Sequence, residues 1–86
     1  SVTLFGKERA EMLELVAQPD AAAVNKTLKD IRFPRGSVVG AVLRGDQAII
    51  PDGSFKVEPY DRLIIFTLLK SIHKIEHLFT SGGRRN

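Results

Sequence analysis

Arg62-Leu63-Ile64-Ile65-Phe66-Thr67-Leu68-Leu69 is the stretch on which the reading of the whole chain turns. Its large apolar residues come in a run far below the ~20 residues that cross a bilayer. They also leave no polar stripe of the kind a surface helix keeps. Leucine, isoleucine and phenylalanine without alternation point to a strand at the centre of a sheet, and predict that both of its faces are covered. Glu58-Pro59-Tyr60-Asp61 turns the chain into this strand.

Upstream, Ser37-Val38-Val39-Gly40-Ala41-Val42-Leu43-Arg44 is also strand-like, with β-branched and apolar residues around two small ones. Gly45-Asp46 follows it, and two such residues between apolar runs predict a tight hairpin whose return strand is Gln47 to Ile50. Pro51-Asp52-Gly53 marks the next turn, since proline presets φ and glycine accepts the left-handed position. Further upstream, Asp20 is a candidate cap for a helix that puts Val24, Leu28 and Ile31 on one face. Asn25 is a second cap, for a shorter helix from Lys26 to Ile31. Pro34 and Gly36 end that segment.

Glu11 to Gln18 is ambiguous: Met12, Leu13, Glu14 and Leu15 favour a helix, whereas Leu13, Leu15 and Ala17 alternate as a strand does. Val2 to Phe5 is β-prone, and residues 1–10 are read as an extension or the remnant of an upstream unit. At the other end, Ser71 is a plausible cap for a helix from Ile72 to Phe79 with Ile72, Ile75, Leu78 and Phe79 on one side. Gly82-Gly83 is expected to stop it, and residues 81–86 to form a flexible basic tail. The order is strand, helix, hairpin, strand, helix: an α+β fold with a small mixed, largely antiparallel sheet and two short helices.

Composition sets the outer limits. Eighty-six residues, 43% of them hydrophobic and 27% charged, suit one globular domain of modest stability. The sequence has no cysteine, which removes disulfides, thiolate metal sites and cysteine nucleophiles together. A soluble module of a reducing, cytoplasmic compartment is therefore expected. The net charge of +3 raises a nucleic-acid reading. Its thirteen basic residues are interleaved with ten acidic ones, however, and the densest pair, Arg84-Arg85, lies in the terminal tail, so no nucleic-acid partner is expected.

Side chains that carry chemistry are sparse. His73 and His77 have the i, i+4 spacing of a metal pair, but they lie roughly opposite Ile72, Ile75 and Phe79, so they are read as solvated and no metal site is expected. Arg44, at a strand end, is the one candidate for contacting an anionic ligand, because a guanidinium offers a planar fork to phosphate or carboxylate; solvated hairpin charge is the competing account. Asp30, Asp46, Asp52 and Asp61 fall in turns or helix ends, where carboxylates bond backbone amides. No G-x-S-x-G and no G-x-x-x-x-G-K occurs. The chain is not expected to be an enzyme or to hold a cofactor.

Taken in order, these pieces resemble the TrkA C-terminal domain, the small unit that follows the nucleotide-binding lobe in regulators of potassium conductance (RCK). The resemblance runs from Leu13 to about Phe79. It is carried by Asn25-Lys26-Thr27-Leu28-Lys29-Asp30-Ile31, by Pro34 and Gly36, by the strand ending in Arg44-Gly45, by Pro51-Asp52-Gly53, by Tyr60-Asp61 before the last apolar strand, and by the final helix ending in Glu76-His77-Leu78-Phe79. Asn25 and Tyr60 stand where the family usually has glycine. The resemblance implies that Glu11 to Gln18 is the first strand. It also implies a domain that pairs with a copy of itself, takes a nucleotide-like effector in some members (cyclic dinucleotides among them), and regulates a membrane cation channel, transporter or antiporter from the inner face of the cell membrane. The nucleotide-binding lobe is not in this sequence, so no dinucleotide cofactor is expected by that route.

Overall fold

The computed structural model describes residues 2–4, along the backbone, and residues 9–82. Five strands form one open sheet: β1 (Val2–Leu4), β2 (Ala10–Val16), β3 (Ser37–Arg44), β4 (Gln47–Ile49) and β5 (Arg62–Leu68). Their spatial order is β1-β2-β5-β3-β4, and every pairing between them is antiparallel. One α-helix, α1 (Ile72–Phe79), follows β5 through a 3₁₀ turn at Leu69–Ser71. The small α+β class holds. Residues 83–86, most of the expected basic tail, lie outside the described part.

Glu11 to Val16 is a strand despite its helix-forming residues, because β5 supplies seven consecutive partners, from Ala10 opposite Leu68 to Val16 opposite Arg62. Leu13 and Ala17 are buried as the alternation requires. The hairpin also forms as read: Arg44 faces Gln47, and Gly45 between them takes φ +56°, which a glycine adopts without strain.

Three expectations fail locally. The first helix is reduced to a single 3₁₀ turn at Leu28–Asp30. Its backbone is drawn elsewhere: Asn25 N–H donates to Val57 O, Val57 N–H to Lys26 O and Leu28 N–H to Phe55 O, while Asn25 itself takes φ +69°. Asp20 caps no helix, and its carboxylate accepts the Gly82 N–H instead. Leu28 and Ile31 still face inward, so the burial pattern survives although the helix does not.

At the last helix, Ser71 makes no side-chain cap, and the chain leaves α1 at Thr80, which is extended at φ −89°, ψ 158°, before the glycines are reached. Gln18 and Ala23 N–H groups donate to the carbonyls of Phe79 and Leu78, satisfying part of that helix end. The third correction concerns β5. It is central, but among the described residues only one of its faces is covered, and Phe66 on the other is 42% exposed.

That covered face holds the core. Leu63 and Ile65 of β5 and Val42 of β3 are fully buried beneath Ile75 and Phe79 of α1, with Ala17, Ala21, Ala23, Val24 and Val57 closing the sides. Phe33 packs against Phe79 with ring centroids 6.1 Å apart. Between Val39 and Ala41 the β3–β5 register slips by one residue at Gly40, a bulge that changes which residues of β3 face the core.

Candidate functional site

Arg44 ends β3 beside the start of β5, because antiparallel pairing sets Leu43 opposite Arg62 and so brings the next residue, Arg44, next to Asp61. The contact is bidentate. Arg44 Nε donates to Asp61 Oδ1 and Nη2 to Asp61 Oδ2, each at 2.8 Å. Nη2 also donates to Lys56 O at 3.2 Å, and Nη1 lies 3.1 Å from Glu58 Oε2. The guanidinium carbon sits 4.8 Å from the Phe55 ring centroid, within cation–π range.

Asp61 is 1% exposed and additionally accepts the Glu58 N–H at 2.8 Å, so its carboxylate closes the turn it follows. Hydrogen bonding to Asp61 raises the Arg44 pKa above the ordinary arginine value; partial desolvation opposes this, and the charges of Asp61 and Glu58 add to it. The fork that would receive a phosphate or carboxylate from outside is thus taken by an internal carboxylate. Arg44 is tied to Asp61 and Glu58 while its side chain stays 32% exposed.

The other carboxylates also organise turns. Asp52 accepts the backbone N–H and hydroxyl of Ser54, and these bonds hold its pKa below the ordinary aspartate value. Asp30 accepts the Thr27 hydroxyl at 2.9 Å. His73 and His77 both lie on the exposed side of α1, with His73 Nδ1 3.6 Å from Glu76 Oε1. Among the described residues no three of His, Cys, Asp or Glu are grouped as a metal site. Asn25 and Tyr60 both adopt φ +69°, the left-handed region in which glycine is unstrained and tyrosine is not.

A further apolar surface is the face of the sheet turned away from the core. Ile64, Phe66 and Leu68 of β5, Met12 and Val16 of β2, and Val38, Ala41 and Leu43 of β3 alternate with the core residues and therefore share this side. Val38 is 62% exposed, Phe66 42% and Val16 40%. The charges here are Glu14 and Arg62, joined by Arg62 Nε donating to Glu14 Oε2 at 2.7 Å. The Phe66 ring lies over Gly40, where an added Cβ would come within 2.9 Å of the ring. An open cleft lined by Arg9, Leu68, Leu69 and Lys70 is found at the end of β5 away from Arg44.

Sequence reasoning placed Asp30, Asp46, Asp52 and Asp61 in turns or helix ends with their carboxylates on backbone amides; Asp52 and Asp61 accept such bonds, whereas Asp30 accepts the Thr27 hydroxyl. It missed the Arg44–Asp61 clamp, although strand ends brought level by the hairpin and β5 contain the signal. It also missed the open face, since an apolar run reads alike whether the second cover is internal or supplied from outside.

Comparison with known proteins gives the architecture a family. The TrkA-C domain family matches residues 12–80. The chain belongs to the TrkA-C family. A Methanosarcina mazei protein described as Trk system potassium uptake protein TrkA homolog 2 is 40% identical over 72 residues, 84% of this chain and 16% of the relative. Its homolog 1 from the same organism is 35% identical over 79 residues, 92% of this chain and 18% of the relative. The Trk system potassium uptake protein TrkA homolog of Archaeoglobus fulgidus is 36% identical over 77 residues, covering 90% and 17%. This TrkA-C domain thus spans less than a fifth of the length of these relatives. A solved structure described as an RCK domain with cda superimposes with a TM-score of 0.69 at 18% identity, over 80% of this chain and 97% of the other, which is agreement of fold. No described helix of the TrkA-C domain is long and apolar enough to cross a membrane.

Proposed function

We propose that this TrkA-C domain is a non-catalytic regulatory unit of a potassium uptake system, which pairs with a second copy of itself and passes ligand state or subunit position to a membrane channel or transporter at the inner face of the cell membrane. The observation that carries this is the match over residues 12–80, supported by relatives described as Trk system potassium uptake proteins. Self-pairing draws support from the uncovered sheet face, where aliphatic and aromatic side chains lie open as they do in front of a protein partner. Regulation then requires two arrangements of the pair with unequal affinity for an effector.

A nucleotide-like effector belongs to this reading, held at or near the paired surface. The Arg44 guanidinium, already turned toward Asp61 and Glu58, reaches such a ligand only by giving up part of that clamp. Sedimentation of the 86-residue chain tests pairing: a dimer at micromolar concentration is expected, and a monomer at high micromolar concentration defeats it. Calorimetric titration with a panel of cyclic dinucleotides and adenine nucleotides tests sensing. Saturable binding supports it. Silence across the panel leaves instead an interaction module that offers a sheet edge, a reading favoured only by the 82% exposure of Ile50 beyond the edge strand β4.

A further inference from the structure

Three segments far apart in sequence meet at the end of the sheet away from Arg44. The Leu69 N–H donates to Arg9 O at 2.9 Å and the Leu68 N–H to Gly36 O at 3.2 Å, so the start of β2 and the loop before β3 flank the exit of β5. Arg9, Arg35 and Lys70 are brought to this end, and all three are exposed. Lys74, also exposed, follows on the first turn of α1. Carboxylates are fewer here: Glu11 lies just inside β2, opposite Thr67, and Glu76 is engaged with His73 on α1. Lys7 and Glu8, which precede Arg9, cancel in charge. The opposite end differs, because there Arg44 is matched by Asp61 and Glu58, and Arg62 by Glu14.

Arg9 and Lys70 line an open cleft of about 330 Å³ together with Leu68 and Leu69, and Leu69 is 41% exposed. Ligand pockets begin near that size, at about 300 Å³. The lining is half cationic and half aliphatic, which selects a ligand with both an acidic group and an apolar part. A simple polyanion makes no use of the leucines. A nucleic-acid strand or a nucleotide gains from an aromatic platform under its base, and none of the four lining residues is aromatic. An acidic phospholipid in a bilayer supplies the match. Its phosphate accepts from a guanidinium fork and an ammonium. The long stems of Arg9 and Lys70 keep their charges among the headgroups while Leu69 meets the apolar boundary beneath.

We infer that the Arg9–Lys70 end of this domain docks on a membrane surface rich in acidic phospholipid, with one lipid seated in the cleft. The inference rests on the reading that places the domain at the inner face of the cell membrane, and adds a direct lipid contact to the one with a channel or transporter.

The test is co-sedimentation of the 86-residue chain with vesicles of phosphatidylcholine alone and of phosphatidylcholine with roughly one-third phosphatidylglycerol, at low ionic strength, where surface charge is least screened. Binding is expected to the second kind only. A cation near an acidic leaflet is worth about fivefold in affinity, so Arg9→Gln and Lys70→Gln should each weaken binding about fivefold and the double variant about 25-fold. Leu69→Gln should weaken it at least about threefold, and added salt should not erase that difference. Lys56, whose carbonyl accepts from Arg44, lies at the far end, and Lys56→Gln should bind within about twofold of wild type. Equal losses for Lys56→Gln and Lys70→Gln would show diffuse attraction to a basic chain and overturn the cleft. Glycerol 3-phosphate binding as tightly as the vesicles, by calorimetry, would give the site to a soluble anion and overturn the lipid. Absence of binding to acidic vesicles overturns the inference as well, while pairing and effector sensing stand or fall separately, by sedimentation and nucleotide titration.

Discussion

The two faces of the sheet are made from the same kinds of residue and have opposite fates. Leu63 and Ile65 are fully buried, whereas Phe66, one residue on, is 42% exposed. Hydrophobicity does not distinguish them. What does is that α1 and the segment from Ala17 to Ile31 lie on one side only, so the apolar run of β5 specifies a strand that wants two covers while the domain provides one. The difference teaches that the inner face accounts for the stability of the single chain, and that the outer face gains its free energy, if anywhere, on association.

Truncation on each side should break this symmetry of composition. Ile65→Ala or Phe79→Ala should destabilise the chain by about 3–5 kcal/mol, since each leaves a cavity under α1. Urea unfolding with an unchanged slope would show it. Phe66→Ala on the opposite face should change monomer stability by about 1 kcal/mol or less. Equal losses on the two sides would mean the outer face is not open as described.

The rim between the faces is held by Arg44 and Asp61. Arg44→Ala leaves a buried carboxylate without its counter-charge, and with Arg44 itself about one-third exposed the loss should be about 2–3 kcal/mol. Arg44→Lys should recover only part of it, because an ammonium cannot bond both oxygens in the plane. Gly40→Ala tests the outer face at its closest approach: the new methyl group meets the Phe66 ring, and a loss of about 1–2 kcal/mol is expected, relieved when Phe66→Ala is added.

The smallest effect is a matter of pH. The Asp52 pKa is lowered by its Ser54 hydrogen bonds, so its contribution is present above the unfolded-state pKa and is lost as pH falls through the folded-state value. Asp52→Asn should therefore differ most from wild type at neutral pH and converge with it in acid, in paired thermal melts.

Much of the fold was legible, for reasons the residues make clear. Gly45-Asp46 specifies a hairpin locally, through one backbone conformation, and β5 and α1 have patterns that few other structures satisfy. Lys26 to Ile31 was misread because its inward positions, Leu28 and Ile31, are spaced as a helix would space them. The deciding partners, Phe55 and Val57, lie some thirty residues away and draw the backbone into extended pairing. Tertiary hydrogen bonds there outweigh local preference. The site was less legible still. Arg44 is identifiable as a cation at a strand end, but that its fork closes on Asp61 follows only once the strand register is known.

Alternation along a strand is arithmetic modulo two, and Gly40 adds one to the count. Upstream of it the odd-numbered Ser37 and Val39 lie on the core side, level with Thr67 and Ile65; downstream the even-numbered Val42 does, level with Leu63, and Arg44 follows in step. Without that extra residue in the tally Arg44 would emerge on the open face, on the side of Arg62, and the buried Asp61 would have no positive charge to meet it. A single side-chain-free residue thus decides on which side of the molecule an arginine four positions later is spent.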